Sequence, residues 1–574
     1  MAVWKYRIEH LPESFADANE ERYHPVTEAL LTSRGYTDAK TREQFLFPNF
    51  DRDVHDPFLF REMGRVTERI GRVKASGEPV GVFGDFDADG VTSSVIMREA
   101  LTMIGVPVSV YIPEKLSEGH GLHLNAVDFF EREGVKLIVT LDCGMTNHAE
   151  IAEAKKRGID TIVIDHHHVP EVLPEAFAII NPKLPGETYP FRELCGAGTS
   201  WKVAQALSQH FTPEAQEQLK WILDVVAIGT VADVMPLIGE NRVIVKYGLI
   251  VLSKTRRVGL QEMFAVGNIK IDDNTRPDVR MIGFQIAPRI NAASRMAHAM
   301  LAHNVLMEHN HIQARLLALE LDAYNVARQK QSLAMTEEVR AIALEKYVDK
   351  KFIFAVSEHF PYGIVGLVAG RIANEFHKPT CVMTKGETTS QGSFRSIPDL
   401  NIIEVIEECG DLLVKYGGHA QAAGMTIENK HLDLFYERFN RLVTERLTGV
   451  VTEPELWIDV RLRPEHIVPK LFCDILLFAP FGEGNTEPVF ALENMRVEEA
   501  RLVGNGDKHW KLRLMSLDED QRSFEAIGFS LGKTFPDLHR GDVIDIAFQL
   551  NENTWNGRAT LQLKLLDIRQ KNQE

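Results

Sequence analysis

The stretch GDFDADG at 84–90 sets Asp85, Asp87 and Asp89 on alternate residues and then stops at a glycine. Carboxylates this close repel one another unless they point into water or hold cations between them. Three further segments carry side chains of the same kind: Asp142 in LDCG, then Asp165, His166 and His167 in DHHHVP, and Asp233 in GTVADVMPL. Any one of these alone reads as a helix cap, a turn former or a surface histidine. Together they read as a cage. Oxygen-rich donors joined by one or two imidazoles suit magnesium or manganese better than zinc or copper. Two such ions about 3.5–4 Å apart form the usual clamp for breaking a phosphoester.

Such a cage needs elements that bring distant segments to one edge. From PVGVFGD through TSSVIMREALTMIG, PVSVYIP, LNAVDFFEREG, VKLIVTLD, NHAEIAEAKKRG and IDTIVID, buried-type strands alternate with amphipathic helices. That alternation predicts an α/β fold with a parallel sheet covered on both faces. Ligands collect at the carboxyl edge of such a sheet, and the strand-like runs end at Asp85, Asp142 and Asp165. Residues 289–360 contain no glycine or proline, which predicts a long helix joining two lobes. KFIFAVS opens a second α/β lobe, and RVEEARLV, HWKLRLMS, SFEAIGF, DVIDIAFQL and TLQLKLLDI predict a small β-barrel of the oligonucleotide-binding type. The expected division is a mostly helical segment 1–75, a catalytic domain 76–300, a connecting long helix 301–350, a second α/β domain 351–450 and a barrel 451–574.

The bulk numbers are those of an ordinary globular chain: 574 residues, 44% hydrophobic and 25% charged. No apolar stretch reaches the roughly 18–20 residues of a membrane helix, and the first residues lack the layout of a secretion signal. Five scattered cysteines without a CxxC pair argue against a disulfide framework or a thiolate zinc site and fit a reducing cytoplasm. A net charge of −17 argues against indiscriminate coating of nucleic acid but leaves room for a local basic groove.

GDFDADG, LDCG, DHHHVP and GTVADVMPL, in this order, resemble the successive signature motifs of the DHH phosphoesterase superfamily. GGHAQAAG at 417–424 resembles the glycine-rich motif of its DHH-associated second domain, and PFGEGN at 480–485 before the β module resembles the RecJ family of bacterial single-strand-specific DNA exonucleases. The resemblance implies metal ligation of two Mn2+ or Mg2+ ions by Asp87, Asp89, Asp142, His166 and Asp233, with Asp142 bridging. It also implies that Asp165 orients a histidine and that His167 serves beside the scissile phosphate. Asp85 completes an ion's shell or orients a water, and His168 has no assigned role.

By the same resemblance, Ser393 and Arg395 of GSFRS, with Arg289 of APRINAASRM, form a 5′-phosphate pocket, because an arginine fork pairs phosphate oxygens two at a time. Asn291, Arg295, Lys115 and His419 are further candidates for nucleic-acid contact. Lys115 and His120 stand where relatives tend to carry an arginine and a tyrosine. The aromatics Trp510, Phe529, Phe548 and Trp555 are available in the barrel, at least half of them for its core. The implied activity is 5′→3′ exonucleolytic release of mononucleotides from single-stranded DNA, in repair and recombination. The alternative is a DHH phosphodiesterase of short oligonucleotides or cyclic dinucleotides. A single-strand-binding protein and a helicase are the candidate partners of an expected monomer.

Overall fold

The computed structural model describes residues 2–11, 23–115, 117–272, 275–450, 453–504, 506–555 and 558–570, with the side chains at 554–559 outside that description. It forms two compact units: Met1–Val54, Pro236–Val243 and Glu453–Glu574 make one, His55–Met235 and Ile244–Thr452 the other. Among the described residues no helix is long and apolar enough to cross a membrane.

The second unit holds the sheet that the strand-like runs predict. Its order is Val108–Tyr111, Val80–Gly84, Leu137–Leu141, Asp160–Ile164, Ala178–Ile180, all parallel. Val80–Gly84 and Leu137–Leu141 are buried along their whole length, which is why they read as continuous apolar runs rather than alternating ones. Gly84 pairs with Leu141 and Leu141 with Ile164. The ladder runs one residue further, since the amides of Asp85, Asp142 and Asp165 donate to the carbonyls of Leu141, Ile164 and Ile180. Register therefore ranks the three aspartates side by side at the carboxyl edge.

A 36-residue helix, His311–Lys346, follows. It starts later than 301 because the Asn310 side chain caps it, accepting from the amides of Ile312 and Gln313. Beyond it lies a mixed five-stranded sheet, ordered Leu413–Gly418, Ala422–Glu428, Thr389–Arg395, Thr380–Lys385, Ile353–Ser357. Only the last pair is parallel. Phe352, Phe394, Phe435 and Phe439 fill its core, each burial worth about 1.5–3 kcal/mol.

In the first unit, Phe490–Val503 pairs with both His509–Ser516 and Val543–Trp555, while Ser523–Gly528 pairs with Arg558–Gln570, so five strands close on themselves. The described residues of 1–75 are mostly helical, as expected, but include one strand. Val3–Ile8 is a strand, parallel to Glu455–Arg461 and thus part of the barrel's sheet. The run VWKYRI alternates around buried Trp4, whose indole donates to Asp567, and this period of two outweighs the helical neighbourhood. The PFGEGN segment is also structural: Asn485 donates to the carbonyls of Phe478 and Pro480. Buried Arg242 spreads its guanidinium over the carbonyls of Phe45, Leu477, Phe478 and Ala479. Trp510 and Phe548 are core, Phe529 is exposed, and the Trp555 side chain lies outside the described residues.

Candidate metal centre

Each acid is aimed by a separate local device. Asp87 caps the helix Ala88–Met103, its Oδ1 accepting from the amides of Asp89 (3.0 Å) and Gly90 (3.1 Å). Asp89, in the helix's first turn, is clamped from across the fold: Oδ2 accepts from Gly196 N at 2.7 Å and Oδ1 from Ala197 N at 2.9 Å. Those amides open the helix Gly196–Phe211, whose positive end favours the carboxylate. Asp142 sits at φ +60°, the left-handed region that Asp tolerates better than most residues. Asp233 ends the helix Leu223–Ala232, and Val234 after it is held at φ +57°, costly for a β-branched residue. Strained backbone thus flanks two of the acids, as it does at many functional sites.

The side chains converge. His166 Nε2 lies 3.1 Å from Asp142 Oδ1, 3.5 Å from Asp233 Oδ2 and 3.8 Å from Asp89 Oδ2. Among the described residues, three groups have ligand atoms within 4.8 Å of one another: Asp142, His166 and His167; Asp89, His166 and Asp233; Asp85, Asp87 and Asp142. Asp142 and His166 each belong to two. Asp85 Oδ1, Asp142 Oδ1 and both ring nitrogens of His166 are buried without a hydrogen-bond partner among the described residues. Unsatisfied buried donors and acceptors are costly, and here they belong to residues of one cluster. Burial and the neighbouring carboxylates push Asp142 well above the usual range, Asp233 up to about 8 and Asp89 up to about 6. Burial, then neighbouring His167, lowers His166 to about 3, leaving it neutral and ready to ligate. Crowded acids with raised pKa values, plus a neutral imidazole, fit a pair of hard divalent ions.

Asp165 points elsewhere. Despite burial, hydrogen bonds from His167 hold it at about 2, and its Oδ1 lies 2.8 Å from His167 Nδ1. The histidine it orients is therefore His167, itself raised to about 9 by that pairing against burial. His120, whose role was open, places Nδ1 3.1 Å from Asp85 Oδ2.

The candidate cationic residues separate. Arg395 Nη1 donates to Ser393 Oγ at 3.0 Å on the strand Thr389–Arg395. Arg289 does not join them: it is spent on Asp322 (2.9 Å) and on the carbonyls of Gln285 and Gly267, pinning its helix to the long one. Arg295 instead lies in electrostatic reach of both Asp87 and Arg395. Lys115 lies over the Phe86 ring, among Arg295, Asp87, Asp85 and Arg395, and burial with nearby Arg295 lowers it to about 8. Asn291 accepts from Ala88 N at 2.9 Å, so its amide oxygen is engaged with the acidic loop. GGHAQAAG is a hairpin between two strands rather than a strand-to-helix turn, with His419 exposed at its tip.

The residues overlooked in the sequence are those of CGAG at 195–198, which act through backbone amides. Their only signal is paired glycines opening a helix after an N-cap cysteine. A Cβ at Gly196 would stand 2.7 Å from Asp142 Cβ. Gly196→Ala is accordingly expected to weaken Mn2+ binding about 10–100-fold, the range for residues that orient ligands. A Mn2+ titration giving wild-type affinity would show that this packing does not place Asp142.

Three family models match the chain: the DHH family N-terminal domain over residues 79–230, the DHHA1 domain over 349–445 and the RecJ OB domain over 458–567. The single-stranded-DNA-specific exonuclease RecJ of Bacillus subtilis is 33% identical over 98% of this chain and 70% of its own length. Its namesake in Thermus thermophilus is 33% identical over 86% and 69%, and that of Haemophilus influenzae 29% over 95% and 96%. The crystal structure of Thermus thermophilus RecJ with Mn2+ superposes with a TM-score of 0.83 at 27% identity, covering 99% of this chain and 80% of that one. The same protein with Mg2+ gives 0.77 at 25%, covering 99% and 79%.

Proposed function

The chain belongs to the RecJ family of single-stranded-DNA-specific exonucleases, and from that premise we infer that it degrades single-stranded DNA from its 5′ end to mononucleotides, in repair and recombination. The observation that carries this reading is the convergence of Asp87, Asp89, Asp142, His166 and Asp233, with unsatisfied buried ligand atoms, next to the cations Lys115, Arg295 and Arg395.

Those five residues would hold two Mn2+ or Mg2+ ions, the metals with which Thermus thermophilus RecJ was crystallised. When bound, such ions supply charge neutralisation and activation of water near neutral pH. The rest falls to the chain. Asp165 fixes the His167 ring through Nδ1, which leaves Nε2 as the nitrogen that can meet a phosphate oxygen or give up a proton. Ser393 Oγ and the Arg395 fork receive the terminal phosphate, with Lys115 and Arg295 adding charge between that pocket and the acids. Lys115 keeps the charge of an arginine without its planar fork, so end binding is less directional. Polarity comes from the pocket, because the acidic cage itself does not distinguish strand direction. His419, at the hairpin tip, is a candidate contact to the backbone.

A helicase that exposes strands and a single-strand-binding protein that keeps them open are the partners such a reaction calls for, with the chain acting as a monomer. Five cysteines, four of them buried and all unpaired, suit a reducing cytoplasm.

A time course on 5′- and 3′-labelled strands with Mn2+ or Mg2+ tests the reading. The 5′ label is expected to leave at once as a mononucleotide, and the 3′ label last. Long strands left intact while dinucleotides disappear would replace this reading with a phosphodiesterase of short oligonucleotides. Arg395→Ala is expected to cut the preference for 5′-phosphate over 5′-hydroxyl ends about tenfold, the loss of one charge-assisted hydrogen-bonding group. An unchanged preference would remove Arg395 from the pocket.

A further inference from the structure

The short helix Ala287–Met296 touches both halves of the site. Asn291 Oδ1 accepts from Ala88 N, the amide between Asp87 and Asp89. One turn on, Arg295 Nη1 donates to the carbonyl of Gly363 at 2.9 Å, in the first turn of the helix Tyr362–Phe376. Residues four apart share a helix face, about 6 Å from each other. The contact at Gly363 is close: a Cβ there would stand 2.5 Å from the Arg295 carbonyl oxygen. A turn later, a Cβ at Gly366 would stand 3.0 Å from Ser393 Oγ and 3.2 Å from Arg395 Nη2. Arg289 fastens the start of the short helix to Asp322 and Gly267.

Backbone and side chains thus connect without a gap from the acidic loop, through Asn291 and Arg295, to the helix on which Ser393 and Arg395 rest. We propose that Asn291 and Arg295 are positioning residues that couple occupation of the strand-end pocket to the geometry of the Asp87–Asp89 loop, so that a seated 5′ phosphate tightens the cage. The proposal rests on the reading of Ser393 and Arg395 as the end pocket. Close-packed helices transmit small displacements because they have no slack to absorb them, and sub-ångström changes at ligands matter in a cage of this kind. Coupling of this sort is reciprocal, so the ions must tighten end binding by the same factor.

The test measures Mn2+ affinity from the paramagnetic resonance of free Mn2+, without turnover. The full chain is titrated in the presence of a phosphorothioate single strand bearing either a 5′ phosphate or a 5′ hydroxyl. The phosphate end is expected to tighten Mn2+ binding at least about fivefold more than the hydroxyl end. In Asn291→Leu, which removes the acceptor on Ala88, and separately in Arg295→Met, which removes the donor to Gly363, the difference is expected to fall below about twofold. Thermal melts report folding, and if one variant does not fold the other decides. No difference in the wild type overturns the proposal, as does a difference retained in the folded variants. Cleavage of the 5′-labelled strand is scored separately. Wild-type cleavage from that end without any coupling would sink this proposal and leave the proposed function standing, whereas absent cleavage would sink the function itself.

Discussion

Asp142→Asn is expected to lower the cleavage rate at least about a thousandfold, or about 4 kcal/mol at 1.36 kcal/mol per decade, while strand affinity stays within severalfold. Asp142 belongs to two of the three ligand groups, and its Oδ1 is the atom nearest His166 Nε2. Its loss therefore opens both. Asparagine is the informative replacement, because φ is +60° there and Asn tolerates that region where Ala does not. A second consequence separates function from folding. Removing a buried carboxylate from a crowd of four others relieves repulsion, so the metal-free variant should melt higher than the metal-free wild type, by about 1 °C for each kcal/mol gained in a chain of this size. Single-turnover cleavage and thermal melts check both halves. Near-normal turnover would mean that the cage is misassigned, and a lowered melting point would mean that Asp142 carries a structural load instead.

Withdrawing divalent ions is expected to make the protein lose stability as pH rises, and adding them to reverse the trend. Burial and neighbouring acids raise Asp89 to about 6 and Asp233 to about 8, with Asp142 also well above its ordinary value. A carboxyl group whose folded pKa exceeds its unfolded one binds its proton more tightly when folded. Its contribution is complete below the unfolded value and disappears as pH climbs through the folded one. The window is roughly pH 6–8; below it His166, lowered to about 3, and His24 and His303, each lowered to about 4, have the opposite sign and offset the acids. Asp165, held down at about 2, has the opposite sign, and its contribution is lost only below that window. Because ions displace the retained protons, Mn2+ affinity should rise at least about tenfold between pH 6 and pH 8, with proton release on binding. At a hundred times its dissociation constant the metal adds about 2.7 kcal/mol of stability. Calorimetry in two buffers of different ionisation enthalpy reads the proton release directly; a flat affinity profile with none would contradict the crowding described for the acids.

The acidic edge was legible because Asp85, Asp142 and Asp165 each follow an apolar run, and a parallel strand buried on both faces writes itself as such a run. Asp85, Asp142 and Asp165 could be ranked before any coordinates, since register places the residue after each strand at one edge. The second lobe and barrel were legible for related reasons. What stayed hidden acts through the main chain or depends on which way a helix faces. The clamp on Asp89 uses two amides of CGAG, and an amide leaves no mark on residue type. Arg289 and Arg295 are equivalent as letters, but only the structure shows one pinned to Asp322 and the other bonded to the Gly363 carbonyl within electrostatic reach of Arg395. The strand Val3–Ile8 was concealed by distance along the chain, because its partner begins at Glu455.

That pairing has a consequence during synthesis. The strand leaves the ribosome with its neighbour some 450 residues behind it, and at about 5–20 residues per second the wait is roughly 20–90 s. Through that interval an edge with unsatisfied amides and a bare tryptophan is on offer to any other nascent chain. Yield in the cell should therefore respond to translation speed and to chaperone supply more sharply than the equilibrium stability of the finished molecule would suggest.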